Sequence, residues 1–212
     1  MYLRLKQNAK QQHMVDLDKL KQIYKFGKEL SLEDAGSLIK SAKTKTFEKK
    51  ELLIEEGSIK TEMFFIREGL VRCYIINEKG DEITFGLIAE NQILANADVV
   101  LYEQKSRFYY EALEKTKTFS IDHSVVEKIV ESNPKLEKNR KFIFQKMFKT
   151  MIERVESFVL LSPEERYLDY IEKNPTLINR VPDKYIANVL GITPVSLSRI
   201  RARIVSKKRN KA

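Results

Sequence analysis

The stretch from Val181 to Arg203, VPDKYIANVLGITPVSLSRIRAR, decides the C-terminal fold, because it predicts two short helices joined by a tight turn. The first helix covers 183–190 and ends at Gly191, since glycine closes a helix in the left-handed conformation without steric cost. Thr193 is a good N-cap for the second helix, and Pro194 suits its first position, where a backbone N–H would have no partner. The pattern therefore predicts a helix-turn-helix.

The two predicted helices divide their residues between a buried stripe and an outward face. The buried stripe follows helical spacing and comprises Ile186, Val189, Leu190, Leu197, Ile200 and Ile204. The outward face of the second helix comprises Val195, Ser198, Arg199 and Ala202, with Ser196, Arg201 and Arg203 on its flanks. Hydroxyls and arginines on such a face can reach base edges and phosphates in the major groove of DNA. A helical hairpin with a solvated charged face is the alternative interpretation.

The distribution of charge separates these two interpretations. The chain has 39 Lys and Arg against 30 Asp and Glu, for a formal net charge of +9. From Leu177 to the C-terminus there are nine basic residues and one acid, Asp183, so the remainder of the chain is nearly neutral. A basic field concentrated on the motif is what attraction to phosphate requires, and it favours a DNA reader. We expect a flexible tail against phosphate, formed by Lys207, Lys208, Arg209 and Lys211.

The N-terminal part of the chain changes from helical to strand-like texture. Two short amphipathic helices are predicted at 17–26 and 32–42, and a further helix at 122–132. Between them, short strand-like segments separated by glycine turns indicate an antiparallel barrel or jelly roll. The predicted strands are 46–48, 52–54, 63–66, 70–76, 82–88, 92–94, 107–113 and 116–121.

The longest periodic segment runs from Lys135 to Leu161 and predicts a single helix about 40 Å long, more than a small domain needs for its own core. Its apolar seam alternates spacings of four and three residues, as in a coiled coil, and comprises Phe144, Phe148, Met151, Val155 and Phe158. We therefore expect this helix to pair with a second copy of the chain. A helix buried wholly within one chain is the alternative.

A strong helix start follows the long helix at Ser162-Pro163-Glu164-Glu165, with serine as N-cap, proline in the first turn and glutamate three residues after the cap. We place a domain boundary there. The predicted fold class is α+β: a β-roll domain with flanking helices at 1–133, a dimerisation helix at 134–161 and a helix-turn-helix domain at 162–212.

This order of parts resembles the Crp/Fnr family of bacterial transcriptional regulators over almost the whole chain. The stretches that carry the resemblance are 51–57 (ELLIEEG), 64–72 (FFIREGLVR), 162–167 (SPEERY) and 180–201. The last two are similar to the version of the family common in Bacteroidetes. The resemblance implies a cyclic-nucleotide-binding-like jelly roll that senses an effector, a dimerising helix and a DNA-binding domain whose second helix reads the operator.

The resemblance also implies which side chains meet double-stranded DNA. Arg199 matches the base-reading arginine of the family, while Pro194 and Val195 replace residues that are polar in several relatives and predict contact with a thymine methyl group. RNA polymerase is a further candidate partner. The predicted DNA-binding residues are Lys184, Thr193, Pro194, Val195, Ser196, Ser198, Arg199, Arg201 and Arg203.

The roll departs from members that bind cyclic nucleotides, which carry a Gly-Glu pair for the ribose and an Arg-Ser pair for the phosphate. Asn96 stands at the glutamate position, and Lys105-Ser106-Arg107 shifts or loses the phosphate arginine. A buried phosphate without a well-placed cation is costly, so we expect an unidentified effector other than cyclic AMP. The predicted effector pocket comprises Ala95, Asn96, Ser106 and Arg107.

Cysteine and histidine content limits the remaining function classes. An iron–sulfur cluster needs about four cysteines, and the chain has only Cys73, which the strand-like neighbours mark as a small buried apolar residue. Jelly rolls also host metal-dependent oxygenases, but a two-histidine site would need both His13 and His123, which lie far apart. We expect no enzyme, no metal site and no cofactor.

Two further expectations concern cellular context. A signalling adaptor, in which the motif or roll binds protein rather than DNA, is the competing class, although the basic tail argues against it. The polar N-terminus lacks the apolar stretch of a signal peptide, and no segment approaches a membrane span, so we expect a cytoplasmic protein without membrane contact. Met14 is an alternative to Met1 as the start.

Overall fold

The computed structural model of the protein describes residues 32–209. The predicted helix at 17–26 and Lys211 of the predicted tail lie outside the described residues. Among the described residues the chain divides into two compact units, one with 32–42 and 121–145 and the other with 43–120 and 146–209.

The described residues form eight β-strands and seven α-helices. The strands are β1 (Lys43–Phe47), β2 (Leu52–Ile54), β3 (Glu62–Glu68), β4 (Val71–Ile76), β5 (Glu82–Ile88), β6 (Ile93–Leu94), β7 (Tyr109–Ala112) and β8 (Thr116–Asp122). The helices are α1 (Leu32–Ser41), α2 (Ala97–Tyr102), α3 (His123–Ser132), α4 (Glu137–Leu160), α5 (Pro163–Lys173), α6 (Asp183–Leu190) and α7 (Pro194–Arg209).

In the described part of the first unit, the helices predicted at 32–42 and 122–132 are confirmed within about one residue. The carboxylate of Asp122 accepts the Ser124 N–H at 2.8 Å and caps the start of α3. At the start of α4, the Arg140 guanidinium joins Glu127 at 2.9 Å and Glu137 at 2.8 Å.

The predicted antiparallel β-roll is confirmed. It consists of two four-stranded sheets, with strand orders β1-β8-β3-β6 and β2-β7-β4-β5. All eight predicted strands are present, because alternating apolar residues between glycine turns bury one face of each strand. The core between the sheets comprises Phe47, Leu53, Ile54, Phe64, Ile66, Val71, Cys73, Leu94, Tyr110 and Ala112.

Two local features of the roll bear on the expectations from sequence. Cys73 is buried, as predicted, and burial raises the pKa of its thiol to about 12, so the thiol stays protonated and unreactive. Helix α2 was not predicted, since six residues are too few to establish a helical period.

The helix-turn-helix is also confirmed, with α6 and α7 at the predicted positions. Gly191 follows α6 in the left-handed conformation, with φ of 65°. The Thr193 hydroxyl accepts the Ser196 N–H at 3.1 Å, as an N-cap should. Before them, Ser162 and Glu165 form a complete capping box at the start of α5, which places the helix start at the predicted boundary.

The prediction of a flexible tail after the second helix of the motif is wrong for the residues described. α7 continues without a break to Arg209, so residues 207–209 are helical. No glycine or proline interrupts 195–209, and lysine and arginine are good helix formers, which is the physical reason for the extension.

Helix α6 packs on two sides at once. Ile186, Ala187 and Leu190 are each 2% exposed or less and share one apolar cluster with Leu197 of α7. The same cluster includes Leu70 from the turn before β4. The Asn188 side-chain oxygen accepts the backbone N–H of Thr84 in β5 at 3.2 Å. The motif is therefore packed against the roll within the second unit.

We expect Gly191→Ala to lower the free energy of unfolding more than Gly57→Ala does. Both glycines have positive φ, so alanine at either site costs about 1 to 3 kcal/mol of backbone strain. At Gly191 the added Cβ would also lie 2.6 Å from Phe158 Cε1, whereas nothing lies within 4 Å at Gly57. Urea denaturation of both variants measures the difference, and equal losses would show that the Phe158 ring simply moves aside.

Candidate functional site

The outward face predicted for the second helix of the motif is exposed in the structure. Val195 is 60% exposed, and Ser198, Arg199 and Ala202 are exposed as well. Leu197 is fully buried on the opposite side of α7. This face is open for contact with a large ligand.

The hydroxyls at the start of α7 are engaged with each other. Thr193 Oγ1 and Ser196 Oγ lie 2.9 Å apart, and Thr193 also caps the helix. Pro194 is exposed beside them. Since a hydroxyl both donates and accepts, each keeps capacity for a further hydrogen bond to a phosphate or base.

Arg201, predicted as a flanking DNA contact, is held within the domain. Its Nη1 donates to both carboxylate oxygens of Asp183 at 2.7 and 2.8 Å, and its Nε donates to the Tyr167 hydroxyl at 3.0 Å. The side chain is only 29% exposed. Arg201 therefore ties α7 to α5 and α6, and its charge is largely compensated.

Two more of the C-terminal bases are paired. Arg203 and Lys207 both reach Glu164 at the start of α5, at 3.1 and 2.6 Å. The pKa of the Glu164 carboxyl lies below its usual range, mainly because Lys207 donates a hydrogen bond to it and to a smaller extent because Arg203 does.

The local basic field is smaller than the sequence count suggests. Arg180 forms ion pairs with both Glu90 and Glu114. Four of the nine C-terminal bases therefore have acidic partners: Arg180, Arg201, Arg203 and Lys207. Among the described residues, the exposed bases of this region for which we find no ion pair are Lys184, Arg199 and Arg209. Of these, Arg199 lies beside Val195 and Ser198 near the start of α7, whereas Arg209 is the last residue of that helix.

In the roll, the predicted pocket residues Ser106 and Arg107 are already engaged. The Ser106 hydroxyl donates to the Phe108 carbonyl at 2.8 Å and accepts the Phe108 N–H at 3.2 Å. Arg107 donates to Asp98 from Nη2 at 2.8 Å, from Nε at 3.1 Å and from its backbone N–H at 2.9 Å. Asp98, on α2, is only 4% exposed.

Asp98 is the residue that reasoning from sequence missed. Its signal was weak, since a single acid in the first turn of an unpredicted six-residue helix has no distinctive spacing. The Arg107 side chain, against the opposing effect of burial, holds the pKa of the Asp98 carboxyl below its usual range. The carboxylate therefore stays charged at neutral pH and compensates the arginine.

Asn96 is the other notable residue of this region. It is fully buried, and neither its Oδ1 nor its Nδ2 has a hydrogen-bond partner. A buried amide without partners costs free energy unless a water or ligand satisfies it. Ala95, next to it, is half-buried.

The partners of Arg107 bear on the expectation that the effector is not a cyclic nucleotide. The phosphate is an anion and needs a free cation or several N–H donors once it leaves water. The arginine in this region is already bound to a buried carboxylate, and that carboxylate would repel the phosphate.

Other kinds of site find little support among the residues that the structure covers. His123 pairs with Glu127 at 3.2 Å, and His13 lies outside the described range. Within 32–209 there is no group of three or more His, Cys, Asp or Glu side chains arranged to hold a metal ion. None of the described helices is long and apolar enough to span a membrane.

A β-roll, a long helix and a helix-turn-helix occur together in this chain, and known proteins share this order of parts. Residues 44–133 match the family model described as cyclic nucleotide-binding domain. The electron transport regulator A of Shewanella oneidensis is 26% identical over 176 residues, which are 75% of this chain and 67% of that protein.

Two solved structures share the fold. FixK2 from Bradyrhizobium japonicum is 15% identical, with a TM-score of 0.68, covering 79% of this chain and 86% of that one. A putative transcriptional regulator of the Crp/Fnr family from Eubacterium rectale is 14% identical, with a TM-score of 0.65, covering 85% and 86%.

Residues 44–133 thus match the model of a cyclic nucleotide-binding domain, and the chain has the fold of Crp/Fnr-family transcriptional regulators, which confirms the resemblance predicted from the sequence. The relatives described as regulators are not enzymes, which is compatible with the expectation of no enzymatic activity. The closer likeness to the Bacteroidetes version stays a prediction.

We expect Asp98→Asn to reduce the loss of stability at acid pH. The folded pKa of Asp98 lies below its ordinary value of 3.8, so its ionised form stabilises the fold above about pH 3.8 and that contribution disappears as pH falls through the folded pKa. Urea midpoints of both proteins between about pH 5 and pH 3 measure the effect. The same pH dependence in both would contradict a stabilising Asp98–Arg107 pair.

Proposed function

We propose that the protein is a homodimeric, sequence-specific, DNA-binding transcriptional regulator. The observation that carries this proposal is the exposed outward face of α7, on which Arg199 is free of acidic partners while its helical neighbours Arg201 and Arg203 are paired. A guanidinium free to make two parallel hydrogen bonds is suited to the edge of guanine. We assign Val195, Ser198 and Arg199 to the bases.

The remaining predicted contacts divide by chemistry. Lys184, Thr193 and Ser196 are exposed or partly exposed near the helix ends and suit phosphate oxygens, and Pro194 suits an apolar contact. Arg201 instead holds α7 in place, and we give it no base. Arg203 would have to leave Glu164 to meet a phosphate.

The proposal of a homodimer rests on α4. Large apolar side chains exposed in a row on one helix are typical of an interface, because isolated proteins rarely leave such a patch in water. The seam residues and their exposed fractions are Phe144 45%, Phe148 67%, Met151 58%, Val155 62% and Phe158 40%. Two copies paired along this seam would present two recognition helices to half-sites about 34 Å apart, one turn of DNA.

We further propose that the roll senses a small effector that is not a cyclic nucleotide. The unsatisfied amide of buried Asn96 supports a ligand that offers both a donor and an acceptor. Such a ligand would shift the population between dimers that bind the operator well and dimers that do not.

Selection from a random duplex library with purified protein and no added ligand tests the proposed function. An enriched inverted repeat, bound with a steep salt dependence, would support a DNA-binding dimer. Salt-dependent binding without enrichment would contradict sequence-specific reading by the free protein. Absence of DNA binding at two salt concentrations would overturn the proposal and favour the signalling adaptor.

We expect Arg199→Ala to weaken binding to the selected operator by about 1 to 3 kcal/mol and to change binding to random DNA little. Arg209→Ala is the matched control, because Arg209 is exposed at the far end of the same helix and should weaken both alike. Titrations on both duplexes measure the four values. Equal losses for Arg199→Ala on operator and random DNA would remove it as a base reader.

We expect Phe148→Glu to convert the dimer to a monomer, since it places a charge in the middle of the apolar seam. Thr150→Glu is the matched control, because it adds the same charge two residues away, off the seam, where the side chain is exposed. Sedimentation equilibrium measures the mass of each variant. A dimer in the Phe148 variant would contradict pairing along this seam.

A further inference from the structure

Arg72, on β4, joins the roll to the helix-turn-helix from a buried position. Its guanidinium is stacked between two rings, at 3.9 Å from the Tyr74 centroid and 4.4 Å from that of Tyr185 on α6. The side chain is 3% exposed, and its Nη2 donates to Glu111 at 2.9 Å and lies 2.7 Å from Glu82. The arginine is thus fixed by the roll and covered by the motif.

Arg180, just before α6, makes a second connection in the opposite direction. Its Nη1 and Nη2 donate to the two oxygens of Glu90, at 3.0 and 2.6 Å, and Nη2 also donates to Glu114. Both carboxylates belong to the roll. Although burial acts to raise it, hydrogen bonds from Arg180 and from the Gly69 N–H keep the pKa of Glu90 below its usual range.

Arg154 makes a third connection from α4. Its Nη1 donates to the Phe85 carbonyl of β5 at 2.6 Å, and its Nη2 donates to the Val189 carbonyl of α6 at 3.3 Å. Val189 lies in the last turn of α6, where carbonyls have no partner within the helix and attract a cation. One guanidinium thus bridges the roll and the motif.

We propose that Arg72, Arg154 and Arg180, the arginine clamp, are positioning residues that fix the recognition helix relative to the roll and thereby set the half-site spacing that the dimer selects. The inference rests on the proposed function. Geometry supports it, since three guanidinium groups at separate points along 180–189 prevent rotation about any single contact.

A clamp of buried guanidinium groups suits positioning better than it suits stability. Removing charges from water offsets much of what such groups contribute, so apolar residues would hold the domains together as well. A guanidinium group, however, donates its hydrogen bonds in a fixed planar arrangement, which defines one orientation of its partners. A motif attached by a free linker would accept half-sites over a range of spacings.

The test uses the full-length dimer and a library in which the selected half-sites are separated by every spacer within about half a helical turn of the best one. We expect the wild type to prefer one spacer roughly tenfold or more over its neighbours, because wrong spacers require deformation of the duplex. Arg180→Ala should reduce that preference to within about threefold while the half-site sequence is unchanged. Arg180→Lys, which keeps the charge but loses the fork, should give an intermediate result.

Arg140→Ala is the matched control, because Arg140 also bridges two glutamates, Glu127 and Glu137, but these pairs lie within the first unit. It should keep the wild-type spacing. Arg180→Lys also serves as the milder second variant should Arg180→Ala fold poorly, since it keeps a positive charge beside Glu90 and Glu114. Thermal melting verifies folding but does not report on spacing.

An unchanged spacer preference in folded Arg180→Ala, or in Arg180→Lys if only that variant folds, would overturn the clamp. So would an equally broad preference in Arg140→Ala, which would show that loss of any ion pair has this effect. Failure of the wild type to enrich any half-site would instead contradict the proposed function itself, and the two failures are therefore distinguishable.

Discussion

The structure depends on the double packing of α6. This helix has eight residues, yet one side of it closes the apolar cluster of the helix-turn-helix and the other side meets β5 and the guanidinium of Arg72. A helix that is buried on both sides cannot turn without opening one of the two contacts. The position of the recognition helix therefore follows from the position of the roll.

Several basic residues near the C-terminus form ion pairs within the chain. A count of the sequence assigns every C-terminal lysine and arginine to the attraction of DNA, but the structure commits several of them to carboxylates within the chain. Arg201 and Arg203 hold α7 to its own domain, and Arg180 holds the domain to the roll. The exposed bases of this region without such a partner among the described residues are Lys184, Arg199 and Arg209.

In the roll, one buried carboxylate engages the arginine of the predicted effector pocket. The family model that matches the roll is described as a cyclic nucleotide-binding domain. In this chain, the buried carboxylate of Asp98 on α2 accepts hydrogen bonds from both the side chain and the backbone of Arg107. Beside it, the buried amide of Asn96 has no hydrogen-bond partner.

The sequence by itself determined the local structure: the strands of the roll, both helices of the motif, the cap at Thr193 and the turn at Gly191. These depend on periodicity, glycine conformation and capping, which act over a few residues and can be read directly. The sequence also identified the exposed face of α7. Only the tertiary structure decided the partners of the charged residues, because Arg180 meets carboxylates 66 and 90 positions away and Arg72 meets a tyrosine of the motif. Charge is attractive at any sequence separation, so pairing is settled by which surfaces the fold brings together, and no local pattern records it.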